Sequence, residues 1–182
     1  MSSPDLAELQ HGANVLRALA RNLQPFESSL AAPLDHPSAR DALTLLAWRG
    51  TATSETVQFA LGLSQPASVR LVDRLVEAGL LSRDRRAGDR RVWLGLTAKG
   101  RRAAATVLDR EREPVESALR DALPNRAELS RFVAALDRVA TVVLGDTTDP
   151  ARFCRSCDVA ACLGSDRECP SAAVCRRNVA GE

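Results

Sequence analysis

Tyrosine is absent from this 182-residue chain, tryptophan occurs only as Trp48 and Trp93, and aromatic residues make up 3% of the composition. That scarcity excludes the stacking platforms on which single-stranded nucleic acids and unpaired RNA bases are held. Duplex DNA, read by a helix and by arginine, needs no such platform. Histidine occurs only as His11 and His36, in a terminal and a linker context, with no nucleophile and base set around either. No glycine loop is placed to cradle phosphate, since Gly88 and Gly95 fall in a hairpin pattern. An enzyme, or an electron carrier, is therefore not expected. No stretch approaches the ~20 apolar residues of a membrane span, which excludes a membrane partner. The opening MSSPDLAELQ is polar and acidic, unlike a secretory signal, so a cytoplasmic protein is expected. Cysteine is missing until Cys154.

What is present is unevenly spread. Lys99 is the one lysine, and the net charge is only +2. Yet Arg83, Arg85, Arg86, Arg90, Arg91, Lys99, Arg101 and Arg102 crowd one stretch that carries only Asp84 and Asp89 in opposition. A basic stripe in a near-neutral chain suits a polyanion.

Apolar periodicity divides the chain. Leu9, Ala13, Leu16, Leu19, Leu23, Phe26 and Leu30 predict an amphipathic helix over residues 5–31. A linker follows, then a helix over 38–49 that Gly50 ends. Thr53 is a candidate N-cap for a short helix to Ala60, and Ser64 for a second one to Gly79. Strands over 80–83 and 92–96 flank a charged loop. Thr97 caps a helix to about Leu123 that Pro114 should kink or interrupt, and a last helix spans about 126–144. Residues 146–150 read as a hinge. The expected class is mainly α with a small β wing, a winged helix-turn-helix. Its parts are an N-terminal dimerisation helix and linker (1–37), a DNA-binding domain (38–100), C-terminal dimerisation helices (101–146) and a cysteine-rich metal-binding tail (150–177).

The helix over 64–79 has an apolar inner face and a polar outer one, as a major-groove reader requires. Gln65, Ser68, Val69 and Arg70 lie near its start, where base edges are reached. Arg74, one turn on, is placed for phosphate. Arg85, Arg86, Arg90 and Arg91 of the following loop are the candidate wing contacts, where a narrow minor groove attracts arginine. The run LGLSQPASVRLVDRLVEAGLLSRDRRAGDRRVWLGLTAKG, residues 61–100, resembles the signature region of the MarR family of bacterial regulators, with LGLS, VRLVDRL, EAGL, DRR and LTxKG in order. The flanking helices resemble the family layout over most of residues 5–145. The resemblance implies a homodimer whose first and last helices intertwine, here residues 5–31 and about 101–144. It implies a palindromic operator, repression by occlusion, and half-sites about 34 Å apart. It puts the wing-tip arginine on Arg90 or Arg91. Gly88 takes one aligned acidic position, leaving Asp89 as the candidate partner. It also implies, as an alternative, a small-molecule effector between the DNA-binding and dimer regions.

The tail reads C-x2-C-x4-C-x6-C-x5-C, from Cys154 through Cys157, Cys162 and Cys169 to Cys175. An odd count without a secretory signal points to metal or redox chemistry rather than a disulfide framework. Soft thiolates select zinc or iron–sulfur clusters. The lack of a second C-x2-C knuckle, and the Cys169–Pro170 pair, favour an iron–sulfur cluster, [4Fe–4S], over zinc. A metal-free thiol switch is the third reading. The candidate ligands are Cys154, Cys157, Cys162 and Cys169, with Cys175 as spare or substitute. Because the tail follows the last helix, a cluster there is expected to tilt that helix and alter half-site spacing.

Overall fold

The structure, a computed structural model, describes residues 6–22, 32–145, 150–157, 159 and 169–171. The first helix, α1, runs Leu6–Asn22, and the remainder of the expected 5–31 helix lies outside the described residues. Helix α2, Pro37–Arg49, begins with proline in its first turn, where no intrahelical donor is lost. His36 Nδ1 accepts from the Ser38 N–H at 3.3 Å. Helix α3, Ser54–Leu61, is capped as expected by Thr53, whose hydroxyl accepts from the Thr56 N–H at 3.2 Å. Helix α4, Gln65–Glu77, starts after Ser64, although that side chain makes no capping bond.

A three-residue strand, β1 (Thr51–Thr53), occupies what reads in sequence as a connection. With β2 (Leu81–Asp84) and β3 (Trp93–Leu96) it forms an antiparallel sheet in the order β1-β3-β2. Ala52 faces Leu94, and Leu81 faces Leu96. Three residues carry too little alternation to register as a strand; pairing with β3 makes it one.

Helix α5 runs unbroken over Ala98–Ala122, with Pro114 inside it. Of the kink or interruption expected at Pro114, the interruption does not occur. One proline removes one intrahelical bond, and the turns on either side hold. Thr97 caps α5 by accepting from the Gly100 N–H at 2.9 Å. Helix α6 spans Arg126–Leu144, capped by Asn125. Residues 146–149 of the expected hinge lie outside the described residues, and Pro150 already begins a short helix, α7 (Pro150–Phe153), followed by a 3-10 turn at Cys154–Ser156.

The core gathers under α4. Leu43, Leu45 and Leu46 of α2, Val57 of α3, Leu71 and Leu75 of α4, and Leu94 of β3 are buried together. This is the winged helix-turn-helix that the order of elements predicts. The apolar stripes of α1 and α6 behave differently: Leu9, Leu16, Leu19, Phe132, Val139 and Val142 all stay exposed.

Candidate nucleic-acid interface

The burial pattern of α4 sorts its side chains. Leu71, Val72 and Leu75 face the core, and Gln65, Val69, Arg70 and Arg74 are exposed. Ser68 is a correction to the sequence reading. It is 4% exposed and lies with the core-facing stripe rather than on the outward face. It sits three residues before Leu71, on the same side of the helix, and its small size lets α4 approach the layer beneath. Val69, by contrast, is 51% exposed, an apolar side chain that a folded chain gains nothing by presenting to water.

Two open clefts flank α4. One, of about 380 Å³, lies between α4 and the wing and is lined by Gln65, Ser68, Val69, Arg83, Arg90 and Arg91 among others. The other, of about 530 Å³, lies on the opposite side, where Arg70 and Arg74 meet His36 and Ser38 at the start of α2. The predicted contacts therefore divide into two groups. Gln65 and Val69 share a cleft with wing arginines, whereas Arg70 and Arg74 edge the far side.

The wing is organised around Asp89. Its carboxylate accepts from Arg91 Nε at 2.9 Å, Arg91 Nη2 at 2.9 Å, the Arg91 N–H at 3.0 Å and Trp93 Nε1 at 2.9 Å. The Arg91 side chain, then its backbone N–H, then Trp93, hold the Asp89 carboxyl well below the usual carboxylate range. The internal wing salt bridge is thus made by Asp89 with Arg91. Arg90 and Arg85 are exposed and make no ion pair or hydrogen bond among the described residues. Arg86 is occupied otherwise: its guanidinium lies 3.5 Å from the Trp93 ring centroid, and its Nη2 donates to Thr51 Oγ1 at 3.1 Å. Arg86 and Thr51 join wing to β1, and Arg83 pairs with Asp73 to join wing to α4. Sequence reasoning missed Trp93, Asp73 and Thr51 as parts of this frame. The partners of Asp73 and Thr51 are 10 and 35 residues away, so only folding reveals them, whereas Trp93 meets Asp89 and Arg86 from 4 and 7 residues away within the same hairpin.

Because the folded value is depressed, the stabilising effect of Asp89 is fully present above the ordinary carboxylate pKa and is lost only as pH falls through the lowered one. In a Trp48→Phe background, Trp93 emission should stay constant from neutrality down to about pH 4. Asp89→Asn should shift it already at neutral pH. Equal spectra for the two proteins would count against Asp89 as the organiser of the wing.

Residues 38–93 match the model of the MarR family. Solved structures with the same MarR winged-helix fold extend the likeness. One is a MarR family protein from Bacillus stearothermophilus, 21% identical, with a TM-score of 0.67 over 78% of this chain and 99% of that one. Another is MepR, a transcription regulator of the Staphylococcus aureus multidrug efflux pump MepA, 21% identical, with a TM-score of 0.60 over 72% and 97%. A third is the PcaV transcriptional regulator from Streptomyces coelicolor in complex with its natural ligand, 25% identical, with a TM-score of 0.53 over 77% and 97%. No curated protein matches the chain by sequence. Among the described residues, no helix is long and apolar enough to cross a membrane.

Beyond the segment that matches the MarR model, residues 150–157 fold back on α2 and α3. Cys154 hydrogen-bonds through its side chain to Cys157, Ser171 and Cys169, and these contacts, Cys157 first, bring its thiol down to about 6 against the opposing effect of burial. Ser171 is itself buried. Two of the predicted ligands, Cys157 and Cys169, therefore lie beside a third, Cys154; Cys162 and Cys175 fall outside the described residues. Among the described residues, no group of three or more His, Cys, Asp or Glu side chains is placed so that it could hold a metal ion. The 3-10 turn packs on α2, and α7 packs on α3. Residues 150–157, which follow the last helix in sequence, thus have neighbours in the DNA-binding domain.

Proposed function

We propose that this protein is a MarR-type transcription regulator that binds a palindromic duplex operator as a homodimer and acts as a repressor. The observation that carries the reading is the outward face of α4, where Gln65, Val69, Arg70 and Arg74 stand exposed beside a wing stiffened by Asp89 and bearing Arg90 and Arg91. Val69 has the apolar surface that a thymine methyl group rewards. Arg70 is placed for base edges, and Arg74, Arg85, Arg90 and Arg91 for phosphate or the minor groove. Dimer formation is supported by the exposed apolar residues of α1 and α6, since stripes of that kind are covered by a partner in stable proteins.

DNA affinity is, on this reading, controlled by an iron–sulfur cluster held by Cys154, Cys157, Cys162 and Cys169, with Cys175 in reserve. The Cys157 and Cys169 thiols beside Cys154 support a soft-metal site. Zinc is the other group that such donors hold.

Operators selected from random duplexes provide the test. Arg70→Ala should weaken binding by about 1–3 kcal/mol and relax preference at one base position. Arg90→Ala should weaken binding to all sequences and lower the salt slope by about 1. Unchanged affinity in both variants would remove α4 and the wing from the interface. Protein purified without oxygen should contain iron and absorb visible light by thiolate-to-iron charge transfer. A colourless protein with stoichiometric zinc would replace the cluster by a zinc site.

A further inference from the structure

The cysteine turn has two faces. Its backbone is closed by the Cys157 N–H donating to the Cys154 carbonyl at 3.1 Å, which holds the two cysteines in one turn. One of the two residues between them in the turn, Arg155, points its guanidinium at α2 and pairs with Asp41 at 2.9 Å. Arg155 also donates to the Arg152 carbonyl at the end of α7. Arg152 in turn lies 5.1 Å over the Phe59 ring of α3. Its Nη2 is so close to Gly62 that a Cβ there would come within 3.1 Å. Gly62 is the α3–α4 turn itself, held in left-handed backbone at φ +65°, and it stands two residues before Ser64, where α4 begins.

We propose that residues 150–157 form a latch that docks on α2 and on the helix-turn-helix turn through Arg155–Asp41 and Arg152–Phe59, and that this docking carries the state of the cysteines to the start of the recognition helix. The inference rests on the cysteine-controlled reading above and specifies its route. The physical argument is adjacency. A ligand that gathers Cys154 and Cys157 fixes the same turn that aims Arg155, so loss of the ligand frees the guanidinium from Asp41. The contacts are partly exposed, and exposed ion pairs and cation–π contacts are individually weak, which suits a latch that must open. Gly62 is where movement of the latch matters most, because a shift there re-aims Gln65, Val69 and Arg70 together. A dimer-helix route would need the tail to pack on α6, whereas residues 150–157 pack on α2 and α3.

Full-length protein carrying Asp41→Asn or Arg152→Ala tests this. Both changes lie outside the cysteines and outside the proposed DNA contacts, so iron and zinc contents should equal those of the unaltered chain. Affinity for a selected operator duplex would be measured for protein as purified without oxygen and after stripping with a chelator. The unaltered chain should change affinity by about fivefold or more on stripping, and each variant by no more than about twofold. Amide exchange over residues 59–64 should quicken on stripping in the unaltered chain and be quick from the start in the variants. Variants that respond to stripping as fully as the unaltered chain would overturn the latch while leaving cysteine control standing. An unaltered chain that does not respond at all would overturn cysteine control, and the latch with it.

Discussion

Replacing Glu111 by alanine is expected to lower the free energy of unfolding by about 3 kcal/mol. Arg40 of α2 is 2% exposed, and its Nε donates to Glu111 Oε1 of α5 at 2.9 Å. Its Nη1 also donates to the Leu34 carbonyl at 3.0 Å and to the Asp35 carbonyl at 3.4 Å. Truncating Glu111 strips a guanidinium of its carboxylate in a place that water hardly reaches. Breaking such a pair from one side costs about 3–5 kcal/mol, and the partners that Arg40 keeps, the Leu34 and Asp35 carbonyls among them, hold the expected cost at the low end. Glu111→Gln, which retains an acceptor, should cost less. Urea unfolding at unchanged slope reads the difference. A loss below about 1 kcal/mol, the range of exposed pairs, would mean that Arg40 finds other partners when the carboxylate goes.

Gly100→Ala should be about as damaging, for a steric reason. Helix propensity alone favours alanine over glycine by about 1 kcal/mol inside a helix, and Gly100 lies in the first turn of α5. Geometry opposes this: a Cβ at residue 100 would sit 2.0 Å from the Leu80 carbonyl oxygen and 3.0 Å from its carbon. These are backbone atoms, and the same oxygen accepts from the Thr97 N–H at 3.0 Å, so neither side yields without breaking the seam between α5 and the sheet. Overpacking of this kind costs typically 1–3 kcal/mol and more where backbone must move, which outweighs the propensity gain. The net expectation is a loss of about 2 kcal/mol or more. Gly95→Ala serves as a control, because its Cβ would meet Thr51 Cγ2 at an ordinary 3.6 Å. A Gly100→Ala protein as stable as the parent would show that α5 can slide from Leu80.

These two positions also show where reading the chain falls short. Nothing near Arg40 in sequence marks it as buried, since its carboxylate lies 71 residues on. Gly100 reads as the last residue of LTxKG, with no sign of the carbonyl it must clear. The same holds for Arg86, which reads as one more basic wing residue until Trp93 and Thr51 occupy it. Ser68, polar and near the helix start, reads as outward; the phase that puts Leu71 and Leu75 inside puts Ser68 inside as well. The seat of the cysteine tail on α2 and α3 had no local signal either, because adjacency in sequence to α6 says nothing of where a chain returns.

Helix phase, capping by Thr53 and Thr97, the charged hairpin and the segregation of cysteine beyond residue 153 were all present in the order of residues. They suffice for a winged helix-turn-helix because each depends on neighbours within about one or two turns, where side-chain size and backbone geometry act directly. Which arginines are spent on Asp89, Trp93, Asp73 or Asp41 and which remain outward, that Thr51–Thr53 becomes a strand, and which helices the cysteine turn touches were decided only on folding. Arg83–Asp73, Arg86–Thr51 and Arg155–Asp41 join segments 10, 35 and 114 residues apart, which no local pattern of charge encodes; Asp89–Arg91 and Arg86–Trp93 close within the hairpin, where the choice among neighbouring arginines is set by the folded shape of the loop.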